Sequence, residues 1–110
     1  MKTAIIGSRN ITDIDIGSRL PDGTDEIVSG GAKGIDTCAA VYAETHGLKL
    51  TVFLPEYEKY GRAAPIVRNK QIAEYADCGV AFWDGKSRGT ASTISLFKKS
   101  GKPIEVIIIE

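Results

Sequence analysis

The residues best suited to chemistry fall in four short stretches: GSRN at 7–10, GGAKGID at 30–36, GRAAPIVRN at 61–69 and DGKSRGTAST at 84–93. The second is the most telling. Gly30, Gly31 and Gly34 surround Lys33. A turn needs one glycine or two, so three around a lysine describe backbone that must lie close to an anionic group. Both GGAKG and RGTAST run into segments with helical periodicity. A helix N-terminus offers unpaired N–H groups and a partial positive charge, which together suit phosphate. The hydroxyls of Thr90, Ser92 and Thr93 can add hydrogen bonds or cap the helix.

Stepping outward, apolar runs bounded by glycine and proline read as strands at 3–6, 26–29, 51–54, 79–83 and 104–109. Between them lie helical patterns. In 34–46, Ile35, Cys38, Ala39 and Tyr42 recur at i, i+3, i+4, i+7, with Gly47 placed as a C-terminal cap. Pro65 suits the first turn of a second helix running to about Ala76. A third spans about 90–100, with Lys98 and Lys99 in its last turn. The connection 8–24 has room only for a short helix around Asp13 to Leu20. This alternation predicts one α/β domain over 1–110, Rossmann-like and three-layered, with a mainly parallel sheet of about five strands.

In such sheets ligands bind beyond the carboxyl ends of the strands, near the reversal of strand order. All four stretches follow strands. Six of the 14 basic residues (Arg9, Lys33, Arg62, Arg68, Lys86 and Arg88) collect there against Asp36 and Asp84, with Glu56 and Glu58 further out. The expected ligand is a phosphate-bearing small molecule, a nucleotide or a derivative of one. Gly7, Ser8, Arg9, Gly30, Gly31, Lys33, Gly34, Asp36, Arg68, Asn69, Lys86, Ser87, Gly89 and Thr90 are its candidate contacts. Plainer roles are open to several of them. The glycines would also serve tight strand-to-helix packing, Lys86 and Arg88 a solvated loop, and Asp36 the cap and dipole of its helix. Tyr57 and Tyr60 could stack on a base, as could Trp83, whose other role is core or rim packing.

Neither glycine loop is a standard fingerprint. GGAKG lacks the second spacer of GxGxxG, and its lysine precedes the last glycine, unlike GxxxxGK[ST]. Simple NAD or P-loop ATP binding is not expected. No resident cofactor or metal is expected either: the one histidine, His46, falls at a helix end, and Cys38 and Cys78 are far apart without CxxC spacing. Both cysteines read as small buried thiols of a reducing cytoplasm.

A hydrophobic fraction of 43% with 25% charged residues excludes disorder, and no apolar run approaches membrane-spanning length. A formal net charge of zero disfavours nucleic acid as the partner. The final run, PIEVIIIE at 103–110, is apolar for a strand near a sheet edge and points to a homo-oligomer.

Taken in order over nearly the whole chain, GSRN, VSGGAKGID, GRAAPIVRN and WDGKSRGTAST resemble the YspA-like branch of the SLOG superfamily. That resemblance implies a Rossmann-like domain that binds a nucleotide-derived ligand, related to the LOG phosphoribohydrolases and to the single-stranded-DNA-binding protein DprA. Gly30, Gly31 and Gly34 match its glycine turn, with Lys33 where a basic residue is usual. Gly7, Ser8 and Arg9 match the first loop, Arg68 and Asn69 the arginine-bearing helix start, and Gly89 and Thr90 the GT pair. LOG hydrolases carry a catalytic glutamate in GTxxE, and here Thr93 stands in its place. A threonine is no ordinary general acid or base near neutral pH. Binding is therefore expected ahead of catalysis; Asp36 or Asp84 would have to substitute for the missing acid.

Overall fold

The computed structural model describes residues 1–8, 10–11, 14–31 and 34–109. In chain order these form β1 (Lys2–Gly7), β2 (Glu26–Ser29), α1 (Ile35–Thr45), β3 (Lys49–Val52), the single turn α2 (Tyr57–Tyr60), α3 (Ala64–Tyr75), β4 (Cys78–Trp83), α4 (Arg88–Lys99) and β5 (Ile104–Ile108). Short 3-10 turns lie at Gly17–Arg19 and Gly61–Ala63. The strands make one sheet in the order β3-β2-β1-β4-β5, and all four pairings are parallel. The architecture is thus the Rossmann-like α/β layering that the sequence predicts.

Alternate residues along each strand face opposite layers. On one face Ile5, Ile27, Val80 and Phe82 meet Ile35, Ala39 and Ala43 of α1, with Ile11 and Ile16 from the first connection. On the other, Ala4 and Val28 meet Ile72 and Ala73 of α3, the following Ala76, and Phe97 of α4. Ile6, Ala81 and Ile94 extend that second face. α3 and α4 pack side by side there. Gly79 makes room for the Phe97 ring, because a Cβ on it would lie 3.1 Å from that ring. Lys102 ties α3 to the approach to β5: its Nζ donates to the carbonyls of Ala73, Glu74 and Ala76 at 2.7, 2.8 and 2.8 Å. A cation there satisfies the orphan carbonyls of a helix end and complements its dipole.

Several boundaries differ from the sequence expectation. The third strand is not 51–54 but Lys49–Val52, because its ladder with β2 runs from Glu26↔Lys49 to Ser29↔Val52. β2 stops at the glycine turn, so Leu54 has no strand to join and stands 61% exposed. The short helix expected around Asp13 to Leu20 is only the turn Gly17–Arg19, and Asp13 itself lies outside the described residues. α4 begins at Arg88, not Thr90, because Ser87 is its cap and accepts from the Thr90 N–H. α1 ends at Thr45, and Gly47 beyond it takes φ +66°, the left-handed geometry that glycine tolerates. His46 is the C-cap residue, its Nδ1 3.0 Å from the Tyr42 carbonyl. Cys38 is half-buried and Cys78 buried, and neither is in a disulfide.

Candidate binding site

After β1 the chain departs toward β2; after β4 it departs toward β5. The connections leave in opposite directions, so a crevice opens above the carboxyl ends of these two neighbouring strands. A cavity of about 480 Å³ lies there.

Its walls come from five places in the chain. The end of β1 supplies Ile6 and Gly7, followed by Ser8 and Asn10; the end of β2 supplies Gly30; α1 supplies Asp36. α3 contributes Pro65, Arg68, Asn69 and Ile72, and the β4–α4 corner contributes Asp84, Ser87, Gly89, Thr90 and Thr93. Nine sequence candidates are therefore brought together: Gly7, Ser8, Gly30, Asp36, Arg68, Asn69, Ser87, Gly89 and Thr90. Gly31, Gly34 and Lys86 do not line the cavity. Arg9 and Lys33 lie outside the described residues. Ile6 and Ile72 carry no chemical signature in the sequence, being apolar like any core residue; Asn10 closes the GSRN stretch without being a named candidate, and Pro65 reads only as a helix start. Thr93, read there as a lost glutamate, and Asp84, read as a counter-charge, are both wall residues.

The glycines have distinct steric reasons. A Cβ on Gly7 would sit 2.5 Å from Ile35 Cγ2 and 2.7 Å from the Phe82 carbonyl, so Gly7 lets α1 and β4 close against the end of β1. At Gly30 a Cβ would meet Arg68 Nη1 at 2.7 Å. The open side of Gly30 thus receives the arginine, whose Nη1 donates to the Gly30 carbonyl at 2.8 Å. Gly31 takes φ +71° and passes beneath Leu54. Gly34, at φ +78°, is the N-cap residue of α1 without a side-chain cap bond. Gly89 meets nothing within 4 Å where its side chain would be, so backbone there is open to a ligand.

The β4–α4 corner is tightly tied. Asp84 Oδ1 accepts from the N–H groups of Lys86 and Ser87, each at 2.8 Å. Asp84 N–H donates to Ser8 Oγ at 3.2 Å, and Ser8 N–H to the Phe82 carbonyl at 3.1 Å. Trp83 Nε1 donates to the Ser87 carbonyl at 3.0 Å, which fixes its role as packing and bracing the corner. The Ser87 and Lys86 N–H groups hold the Asp84 carboxyl below the usual carboxylate range. Asp84 is accordingly ionised at neutral pH and poorly suited to act as a general acid. Thr93 is 3% exposed and donates to the Gly89 carbonyl at 3.1 Å.

These commitments leave a short inventory of donors. In the first turn of α4, Thr90 N–H is taken by Ser87 Oγ at 3.5 Å and Ala91 N–H by the Ser87 carbonyl. The N–H groups of Arg88 and Gly89 have no partner among the described residues.

No family model, curated protein or solved structure matches the chain. The chemistry of this crevice accordingly rests on its own residues. Among the described residues no group of three His, Cys, Asp or Glu side chains could hold a metal ion, and no helix is long and apolar enough to cross a membrane.

Proposed function

We propose that the chain binds a nucleotide-derived, phosphate-bearing small molecule in the crevice between the ends of β1 and β4, as a domain of the SLOG type. The observation that carries this reading is the opening of the α4 N-terminus, with its free Arg88 and Gly89 N–H groups, beside the cavity at the reversal of strand order. Phosphate fits such a terminus by hydrogen bonding and by dipole. The floor is partly apolar, with Ile6 and Ile72 at 6% and 2% exposure, which suits the uncharged part of a nucleotide.

A hydrolytic reading has one observation in its favour: Asp36, 8% exposed, lines the same cavity. Thr93 cannot supply the acid or base, and Asp84 is held ionised by its own corner. Binding without turnover is the better-supported function. We also propose that β5, an edge strand with Ile108 54% exposed, pairs with a second copy of the chain.

The test is thermal unfolding against AMP, ADP-ribose, NAD, cyclic and linear dinucleotides and short single-stranded DNA. A ligand at 100 times its dissociation constant stabilises by about 2.7 kcal/mol. For a domain of this size that is a shift of several degrees. Stabilisation by one nucleotide class is expected; a flat panel, or a shift with single-stranded DNA alone, would reject the reading.

A further inference from the structure

Asn69 is 6% exposed, lines the cavity from α3, and has a fixed orientation. Its Oδ1 accepts from Arg68 Nε–H at 2.9 Å. An arginine nitrogen can only donate, so the amide oxygen must face it. The amide NH2 is therefore turned the other way; it makes no hydrogen bond to the described residues, and because none of their buried side-chain polar atoms lacks a partner, it is open to solvent. A residue this buried that still keeps its NH2 accessible offers that donor to whatever replaces solvent there. α3 packs against α4, whose Gly89 lines the same cavity and has an N–H with no partner among the described residues.

We infer that Asn69 Nδ2 and the N-terminus of α4 form one anion station, and that Arg68 is the positioning residue that aims Asn69 rather than the group that contacts the anion. This rests on the phosphate-binding reading above and assigns that site a neutral recognition donor. Two Arg68 nitrogens are already committed: Nε to Asn69 and Nη1 to the Gly30 carbonyl. Those bonds lock Arg68 against the end of β2 and present the Asn69 amide as donor only. The station therefore accepts phosphoryl or other anionic oxygens and rejects a group that must itself donate.

The chain offers a clean readout, because Asn10, Asn69 and Gln71 are its three side-chain amides. Their NH2 resonances are resolved in a nitrogen–proton correlation spectrum and assigned with Asn69→Asp. On titration with inorganic phosphate, against sodium chloride at equal ionic strength, the Asn69 pair and the Gly89 amide are expected to move and saturate together, with Gln71 unmoved. Asn69→Ala should weaken phosphate binding by roughly tenfold or more, the worth of a hydrogen bond to a charged group. Arg68→Met should abolish the Asn69 shift while the backbone spectrum stays folded; a shift of unchanged size there overturns the positioning role. Movement of Gly89 with a static Asn69 pair overturns this inference and leaves the phosphate reading intact. No movement at any of them overturns both.

Discussion

Gly7 and Gly30 both stand where a side chain would collide, yet their neighbours differ in what they can yield. At Gly7 the obstacles are the Phe82 carbonyl and the branched Cβ of Ile35, at 2.7 and 2.9 Å. Neither can move without shifting a strand or a helix. At Gly30 the obstacle is the Arg68 side chain, which can be displaced without shifting a strand or a helix, though only by giving up its bond to the Gly30 carbonyl. Gly7→Ala should therefore cost about 1–3 kcal/mol of stability, as overpacking does. Gly30→Ala should destabilise less than Gly7→Ala, by the displaced Arg68 bond alone, and should also weaken ligand binding in the crevice. Urea unfolding of both variants, with one binding curve for Gly30→Ala, checks the pair; equal destabilisation would contradict the argument. From sequence these glycines look alike, and Gly30 looks like a seat for phosphate. What its open side receives depends on Arg68, 38 positions away, which no local pattern discloses.

At the level of elements, one polar cluster joins β2, β3 and α3 at the end of the sheet opposite the cavity. Glu26, 8% exposed, accepts from Tyr75 Oη and from Thr51 Oγ1, the latter at 2.8 Å, with Lys49 Nζ 3.7 Å away. The Tyr75 hydrogen bond, helped by Thr51 and Lys49 and opposed by burial, holds its carboxyl below the usual value of 4.5. A depressed folded-state value means stability that is fully present above pH 4.5 and lost as pH falls through the folded value. Tyr75→Phe should cost about 1.5–3 kcal/mol at pH 7, the worth of a hydrogen bond to a charged group. The gap from wild type should close in acid as Glu26 protonates. Urea midpoints at pH 7 and in strong acid test it, and a gap independent of pH would refute it.

The elements themselves were largely legible. β1, β2, β4 and β5 announce themselves as apolar runs cut by glycine or proline, and α1 by its i, i+3, i+4 repeat. The missed features are those set by partners. β3 takes its register from where β2 ends, α4 its start from the Ser87 hydroxyl, and α3 its final carbonyls from Lys102. The cavity's polar rim was readable because glycine, serine and arginine after strands are informative, whereas its apolar floor was indistinguishable from core.

Across the whole molecule, the parallel sheet ends in two open edges, β3 and β5. β3 exposes Lys49 and Val52, so charge guards part of it, but β5 carries Ile104, Val106, Ile107 and Ile108 with Glu105 as its one charge. Natural edges are usually blunted or covered. Pairing of β5 with its copy in another chain would cover this one. Light scattering at micromolar concentration should give at least twice the 11.8 kDa of one chain, and Ile108→Lys should return it to that mass. A wild-type monomer would rule the pairing out. The neutral net charge bears on the same scale, because it leaves no global field to draw in a polyanion.

The corner from Trp83 to Ser87 has a kinetic consequence. Asp84 ties the two N–H groups that follow it, Ser8 joins the corner to β1, and the Trp83 indole closes the loop on Ser87. The start of α4 is thus preorganised, its ordering entropy already spent during folding rather than at the moment of encounter. A small anion meeting the start of α4 has no ordering of that corner to wait for. Its association is set by diffusion, and differences among ligands are expressed in how long each one stays.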